Sequence, residues 1–198
     1  MSELFIFVGP NGSGKSTLIS QFIQKYDMRD FEYINPDIYA HLFFNNIEDE
    51  VKKYYAAFDF AEYKRAKALE ENRDIIIETV GSTLNKFDFY KDCRDKNYKI
   101  TVVYIATKSP EINIARVAIR KTQGGHEVGE DKITSRYYKS LELMFDLTLF
   151  ADVLYIFDNS DKLRLCFYKD GQNTYLADDI PKWIEQYFFK PLKEFENG

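Results

Sequence analysis

Nine consecutive residues, Gly9-Pro10-Asn11-Gly12-Ser13-Gly14-Lys15-Ser16-Thr17, have types and spacing that can do chemistry. They satisfy G-x-x-x-x-G-K-[ST], the pattern of a phosphate-binding loop. The glycines let backbone N–H groups turn inward on an anion, and the amino end of a following helix adds partial positive charge. Lys15 can span the outer phosphates, and Ser16 is placed to give its hydroxyl oxygen to Mg²⁺. The segment therefore predicts a nucleoside triphosphate as a reactant and Ser16 as a metal ligand.

The use of the phosphate has to be read from other residues, because ATPases, GTPases and small-molecule kinases share this loop. Asn85-Lys86-Phe87-Asp88 matches the guanine-reading N-K-x-D, but no D-x-x-G occurs in the chain. It reads as the start of a surface helix, which leaves ATP as the expected nucleotide. Val153 to Asp158 resembles a Walker B strand, yet Asn159 follows where a water-polarising carboxylate would stand. A buried strand ending in a turn is the better reading. Transfer to an alcohol requires a base near the acceptor and positive charge over the moving group. Asp37 and Glu78 are carboxylates at strand ends, which face the crevice where α/β sheets bind ligands. The segment Arg116 to Lys139 holds six basic residues (Arg116, Arg120, Lys121, Lys132, Arg136, Lys139) against Glu127, Glu130 and Asp131. Arg116 and Arg120 share a helix face, and Gly124-Gly125 permits a sharp turn before a second helix carries Arg136. This is a candidate basic lid over ATP, with Arg120 and Arg136 ranked ahead of Arg116.

These groups need a scaffold, and the hydrophobic pattern supplies one. Apolar runs of strand length recur at Leu4 to Val8, Ile75 to Ile77, Ile100 to Ala106 and Val153 to Phe157, separated by amphipathic stretches. That alternation predicts an α/β fold with a parallel sheet flanked by helices. A weaker strand, Tyr33 to Asn35, stops at Pro36, which turns Asn35 away from helix and suits the first turn of the next one. From Glu48 to Asn72, apolar residues at spacings of three and four predict one long amphipathic helix or two abutting ones. Lys162 to Leu176 alternates around Asp170-Gly171, a hairpin signal, and Ile180 to Phe189 reads as a closing helix.

Composition narrows the partners. The 198 residues fit a single domain, residues 1–198, with a lid at about 116–139 and a hairpin and helix at about 162–190. At 45% hydrophobic and 30% charged, the chain excludes disorder and collagen-like repeats. A net charge of -5 opposes nucleic acid and anionic membranes. Cys93 and Cys166 lie far apart with no C-x-x-C, so neither a disulfide framework nor a zinc site is indicated. Leu4 to Val8 is too short for a signal peptide or a membrane span. A soluble, cytoplasmic protein is expected.

The ordered set of Gly9 to Thr17, Asn35-Pro36-Asp37, Ile77-Glu78-Thr79, Arg116 to Arg120, Gly124-Gly125-His126 and Arg136 to Ser140 resembles the zeta-toxin-like P-loop kinases, a family that includes UDP-N-acetylglucosamine kinases. The resemblance implies a kinase-type sheet with the P-loop strand central, and ATP and Mg²⁺ as reactants. It implies Asp37 as the base that takes a proton from a sugar hydroxyl and Glu78 as a holder of substrate or of Mg²⁺-bound water. Arg120 and Arg136 would stabilise the phosphates, and Asn159 would lie by the adenine. The expected activity is ATP-dependent phosphorylation of a hydroxyl on a small molecule, with a nucleotide sugar as the candidate acceptor. A nucleotide-dependent ATPase switch and a polynucleotide 5′-kinase are the alternatives. Gly129 stands where many relatives have Pro, and no residue here identifies an antitoxin-like partner.

Overall fold

The computed structural model describes residues 1–122 and 128–197. Seven strands form one sheet: β1 (Glu3–Val8), β2 (Glu32–Ile34), β3 (Ile75–Thr79), β4 (Lys99–Ala106), β5 (Val153–Asp158), β6 (Arg164–Asp170) and β7 (Asn173–Leu176). Their spatial order is β2-β3-β1-β4-β5-β6-β7. The first five are parallel, and β6 and β7 add an antiparallel hairpin at one edge. Continuous apolar sequence in β1, β3 and β4 fits strands buried on both faces. Each of the strand segments expected from the sequence is present. The register sets Phe7 beside Glu78 and Val8 beside Thr79, while Val8 pairs with Tyr104 on the other side. Strands β1 and β3 therefore finish level, and β4 continues two residues further, to Ala106.

Helix α1 (Lys15–Tyr26) covers one face, packing Leu18, Ile19 and Phe22 on Phe7, Ile76, Val103 and Ile105. The opposite face, with Leu4, Ile6, Ile75, Ile77, Ile100 and Val102, carries most of the other helices. These are α2 (Pro36–Phe43), α3 (Glu50–Glu70), α4 (Phe87–Asp95), α6 (Glu130–Glu142) and α7 (Met144–Thr148), while α5 (Pro110–Thr122) packs against α6.

The amphipathic stretch at 48–72 is one helix, started by Asp49, whose carboxylate accepts from the N–H groups of Val51 and Lys52 at 2.9 and 3.1 Å. Its apolar stripe differs from the sequence reading. Val51, Tyr54 and Tyr55 are exposed, and Ala57, Ala61, Ala68 and the charged Arg65 face inward. Small alanines let α3 approach the sheet closely, and Arg65 is tolerated inside because Glu62, one turn earlier, pairs with it. The closing helix is also longer than expected. It runs through α8 (Lys182–Ile184), a π-helical turn at Glu185–Phe189 and α9 (Lys190–Glu196). The wide turn lies just ahead of Pro191, whose missing N–H and bulky ring a regular α-helix would not accommodate.

Asp158 ties this helix to the sheet. Its Oδ1 accepts from the indole N–H of Trp183 at 2.9 Å and from the Ser160 hydroxyl at 2.7 Å, and both Asp158 and Trp183 are buried. Trp183→Phe keeps most of the packing and removes one donor from a buried carboxylate. It should cost about 1–3 kcal/mol of folding stability. Urea denaturation followed by circular dichroism measures this, since the chain has one tryptophan and the variant loses its fluorescence.

Candidate functional site

The loop after β1 is shaped by its glycines. Gly9 and Gly12 have φ of 149° and 78°. A Cβ on Gly9 would lie 1.9 Å from the Ile105 carbonyl oxygen, and one on Gly12 would lie 2.7 Å from that of Asn113. No side chain caps the start of α1, so its first N–H groups remain available to an anion. Lys15 is buried, and its ammonium donates to the carbonyl oxygens of Gly9 at 2.8 Å and Pro10 at 3.0 Å. Burial pushes its pKa down, and the Glu78 carboxylate, 4.0 Å away, opposes that shift. Around the loop, Asn11 Oδ1, Ser13 Oγ and Arg116 Nη1 are buried without a hydrogen-bond partner. A glycine cradle, free helix N–H groups and an orphaned guanidinium nitrogen are what a polyphosphate would satisfy, so the residues fit a nucleotide.

Glu78 is the hub on the facing strand. It accepts from Ser16 Oγ at 3.0 and 3.2 Å, from Tyr33 OH at 2.7 Å and from Asn35 Nδ2 at 3.0 Å. Burial first, and then the Glu78 charge, push the Tyr33 phenol up, so it stays a donor. The β1–β3 register explains the meeting of Glu78 with the loop, because Glu78 pairs with Phe7, two residues before Gly9. Glu78 and Ser16 together present the oxygen donors a divalent cation takes, whereas Asp158 is committed to Trp183 and Ser160.

Asp37 is exposed in the first turn of α2, where Asn35 caps its N–H at 2.9 Å. Its charge favours the Lys15 ammonium, a smaller influence than that of Glu78. Arg120 also reaches Lys15 electrostatically, from the last turn of α5. Arg116 is half-buried on the same helix, and Arg136 is half-buried on α6. Helix α6 is held by Tyr137 OH donating to the Thr107 carbonyl at 2.6 Å and by Ser140 Oγ donating to that of Val80 at 2.6 Å. The Gly124-Gly125-His126 segment of the expected lid lies outside the described residues, as do Gln123 and Glu127.

Asn113 and Tyr33 are site residues to which the sequence does not point, whereas Asn159 is among those expected at the nucleotide. Asn113 is fully buried, donates to the Asn11 carbonyl at 2.7 Å and accepts from Thr107 Oγ1 at 2.5 Å. Asn159 donates to the Ser13 carbonyl at 2.8 Å, which places it against the loop backbone. From the sequence Tyr33 is legible only as a strand residue. No local pattern marks these contacts, since each joins segments remote in sequence. The Asn85 to Asp88 stretch is a helix start, as expected, with α4 beginning at Phe87. Lys86 is half-buried, and its ammonium turns back to donate to Thr79 Oγ1 at 3.1 Å.

A parallel sheet with this strand order and a glycine loop leaving its central strand defines the P-loop kinase-type α/β fold. Residues 3–171 match the family model described as Zeta toxin, and the chain belongs to that family. No curated protein matches it. Among solved structures, a chain from the PezAT chromosomal toxin–antitoxin system of Streptococcus pneumoniae aligns with TM-score 0.69 and 18% identity, over 99% of this chain and 85% of that one. AvrRxo1-ORF1:AvrRxo1-ORF2 with sulphate ions aligns with TM-score 0.71 and 12% identity, over 94% of this chain and 63% of that one. A chain of the Pnkp1/Rnl/Hen1 RNA repair complex aligns with TM-score 0.57 and 20% identity, over 70% of this chain and 44% of its own length. At these identities the likeness is one of fold. No helix among the described residues is long and apolar enough to cross a membrane.

Asn113→Ala removes the donor that fixes the Asn11 carbonyl and leaves the loop held from one side only. ATP affinity should fall by roughly tenfold, the effect of one buried hydrogen bond. Titration with a fluorescent ATP analogue checks this, and an unchanged affinity would show that the loop keeps its shape without α5.

Proposed function

We propose that this protein is an ATP-dependent phosphotransferase that phosphorylates a hydroxyl of a small molecule, with a nucleotide sugar such as UDP-N-acetylglucosamine as the leading candidate acceptor. One observation carries the reading: the P-loop Lys15 lies 4.0 Å from the Glu78 carboxylate, and Asn35 binds both that carboxylate and the N–H of Asp37, which ties the exposed acid of α2 to the group beside the loop.

In this reading Lys15 exchanges the Gly9 and Pro10 carbonyls for the outer phosphates. Asp37 accepts the proton of the acceptor hydroxyl as that oxygen bonds to the γ-phosphorus. The bond from γ-phosphorus to the bridging oxygen breaks, and its electron pair leaves with ADP. Bound Mg²⁺ would neutralise charge on the phosphates, with Ser16 and Glu78 as the groups to hold it and its water. Arg120 and Arg136, with Arg116 behind them, supply positive charge as the γ-phosphoryl group moves. Membership of the zeta toxin family supports the activity. The alignment with an RNA repair chain raises transfer to polynucleotide 5′ ends, but a net charge of -5 opposes a polyanionic substrate.

Incubation with Mg²⁺-ATP and a pool of nucleotide sugars, neutral sugars and oligonucleotides, read by mass, should give a product heavier by one phosphoryl group. Asp37→Asn should keep ATP affinity and lose that transfer by about 10²-fold or more. Lys15→Ala should lose nucleotide binding itself. Transfer that survives in Asp37→Asn would remove Asp37 from the chemistry, and ATP consumption indifferent to every acceptor would favour a nucleotide-dependent switch.

A further inference from the structure

Asn35 does more than start a helix. Its backbone is extended, at φ -138° and ψ 114°, so it prolongs β2 by one residue and its side chain falls on the same face as that of Tyr33. The residue is buried. Its Nδ2 donates to Glu78 Oε2 at 3.0 Å and to Tyr33 OH at 3.1 Å, and its Oδ1 accepts from the Asp37 N–H at 2.9 Å. Tyr33 OH donates in turn to the same Glu78 oxygen at 2.7 Å. The other oxygen, Oε1, accepts from Ser16 Oγ at 3.0 Å and lies 4.0 Å from the Lys15 ammonium. Turned over, the amide would set its oxygen against the Glu78 carboxylate and its NH₂ against the Asp37 N–H, so one orientation alone satisfies all three partners.

Helix capping accounts for one of these bonds only. Ser or Asp would cap α2 as well as Asn does. A serine hydroxyl has one proton to give and a shorter reach, and an aspartate has none and would bring a second negative charge to Glu78. Glu78 does not need Asn35 to be satisfied, since Ser16, Tyr33 and Lys15 already attend it. What the amide adds is a connection. It joins the carboxylate beside the phosphate loop to the backbone of the turn from which Asp37 projects, and the orientation of that turn decides where the Asp37 carboxylate can stand.

We propose that Asn35 is a positioning residue for phosphoryl transfer, whose amide holds the first turn of α2, and with it Asp37, at a fixed separation from Glu78. The inference rests on the phosphotransferase reading above and adds to it a residue that acts through its two acidic neighbours rather than on the reactants. Turnover depends on that separation, while the grip of the phosphate loop on ATP does not.

The test uses the full chain and separates the cap from the connection. Asn35→Ser keeps a cap oxygen and removes both amide donors. With the acceptor found in the screen, it should lower kcat by roughly 10- to 100-fold, the effect of displacing a reacting group by about an ångström, while KM for ATP holds. Asn35→Asp, an equally good cap without the donors, should show the same split and decides the matter if the serine variant does not fold. Because Asn35 acts through Asp37, Asn35→Ser combined with Asp37→Asn should be no slower than Asp37→Asn alone. A readout that needs no acceptor is the amide resonance of Asp37 in ¹⁵N-labelled protein. Glu78→Gln should move it when Asn35 is present and leave it in place when Asn35→Ser is combined with it. Wild-type kcat in either cap-preserving variant would overturn the proposal and leave Asn35 a helix cap. A raised KM for ATP with kcat unchanged, a further loss in the double variant, or an Asp37 amide indifferent to Glu78→Gln would overturn it too. Failure of the wild type to phosphorylate any acceptor would instead count against the phosphotransferase reading, and the amide resonance would still decide whether Asn35 links Glu78 to Asp37.

Discussion

A buried ammonium and the carboxylate opposite it constrain everything around the phosphate loop. Lys15 lies 4.0 Å from Glu78, both well shielded from water, where an unpartnered charge is expensive. The pair is possible because β1 and β3 run parallel with Phe7 set beside Glu78, so the loop leaving one strand must meet the tip of the other. A shift of one residue in that register would turn Glu78 to the opposite face of the sheet and leave Lys15 without a counter-charge. The apolar runs of the central strands therefore do more than fill a core. They fix the separation of two ions.

Around this pair the polar groups are held from several directions. Asn113 reaches the loop from α5 and Asn159 reaches it from the end of β5, while Tyr33 and Asn35 bind Glu78 from the end of β2. Three separate segments thus converge on one loop and one carboxylate. Such support restricts the loop before any ligand arrives, and a preformed cradle spares the ligand that ordering cost. In the proposed reaction Lys15 exchanges two carbonyls for a phosphate.

The parts legible in the sequence are those written in contiguous residues. The phosphate loop, the strand tips carrying Asp37 and Glu78, the Pro36 helix start and the hairpin at Asp170-Gly171 each follow from local sterics or periodicity. Residues whose role comes from distant contacts were not legible. Asn113 looks like any polar position on an amphipathic helix, and Lys86 like any charged residue before one. Arg65 shows the same limit from the other side, since a lysine- and glutamate-rich stretch gives no local sign that one of its cations points inward. The exposed Tyr54 and Tyr55 are the converse case, rings at helical spacing that nonetheless face solvent. Alanines at Ala57, Ala61 and Ala68 win that face because a closely packed helix has no room for rings.

Charge follows a similar logic of place over sum. The chain as a whole is negative by five, which sets its long-range field. At Lys15 the charges of Glu78, Arg120 and Asp37 act together, and Glu78 is already engaged by Lys15 and three hydrogen-bond donors. At the few ångströms over which a ligand is gripped, low dielectric makes these groups count for more than the distant surface carboxylates, which water and salt screen.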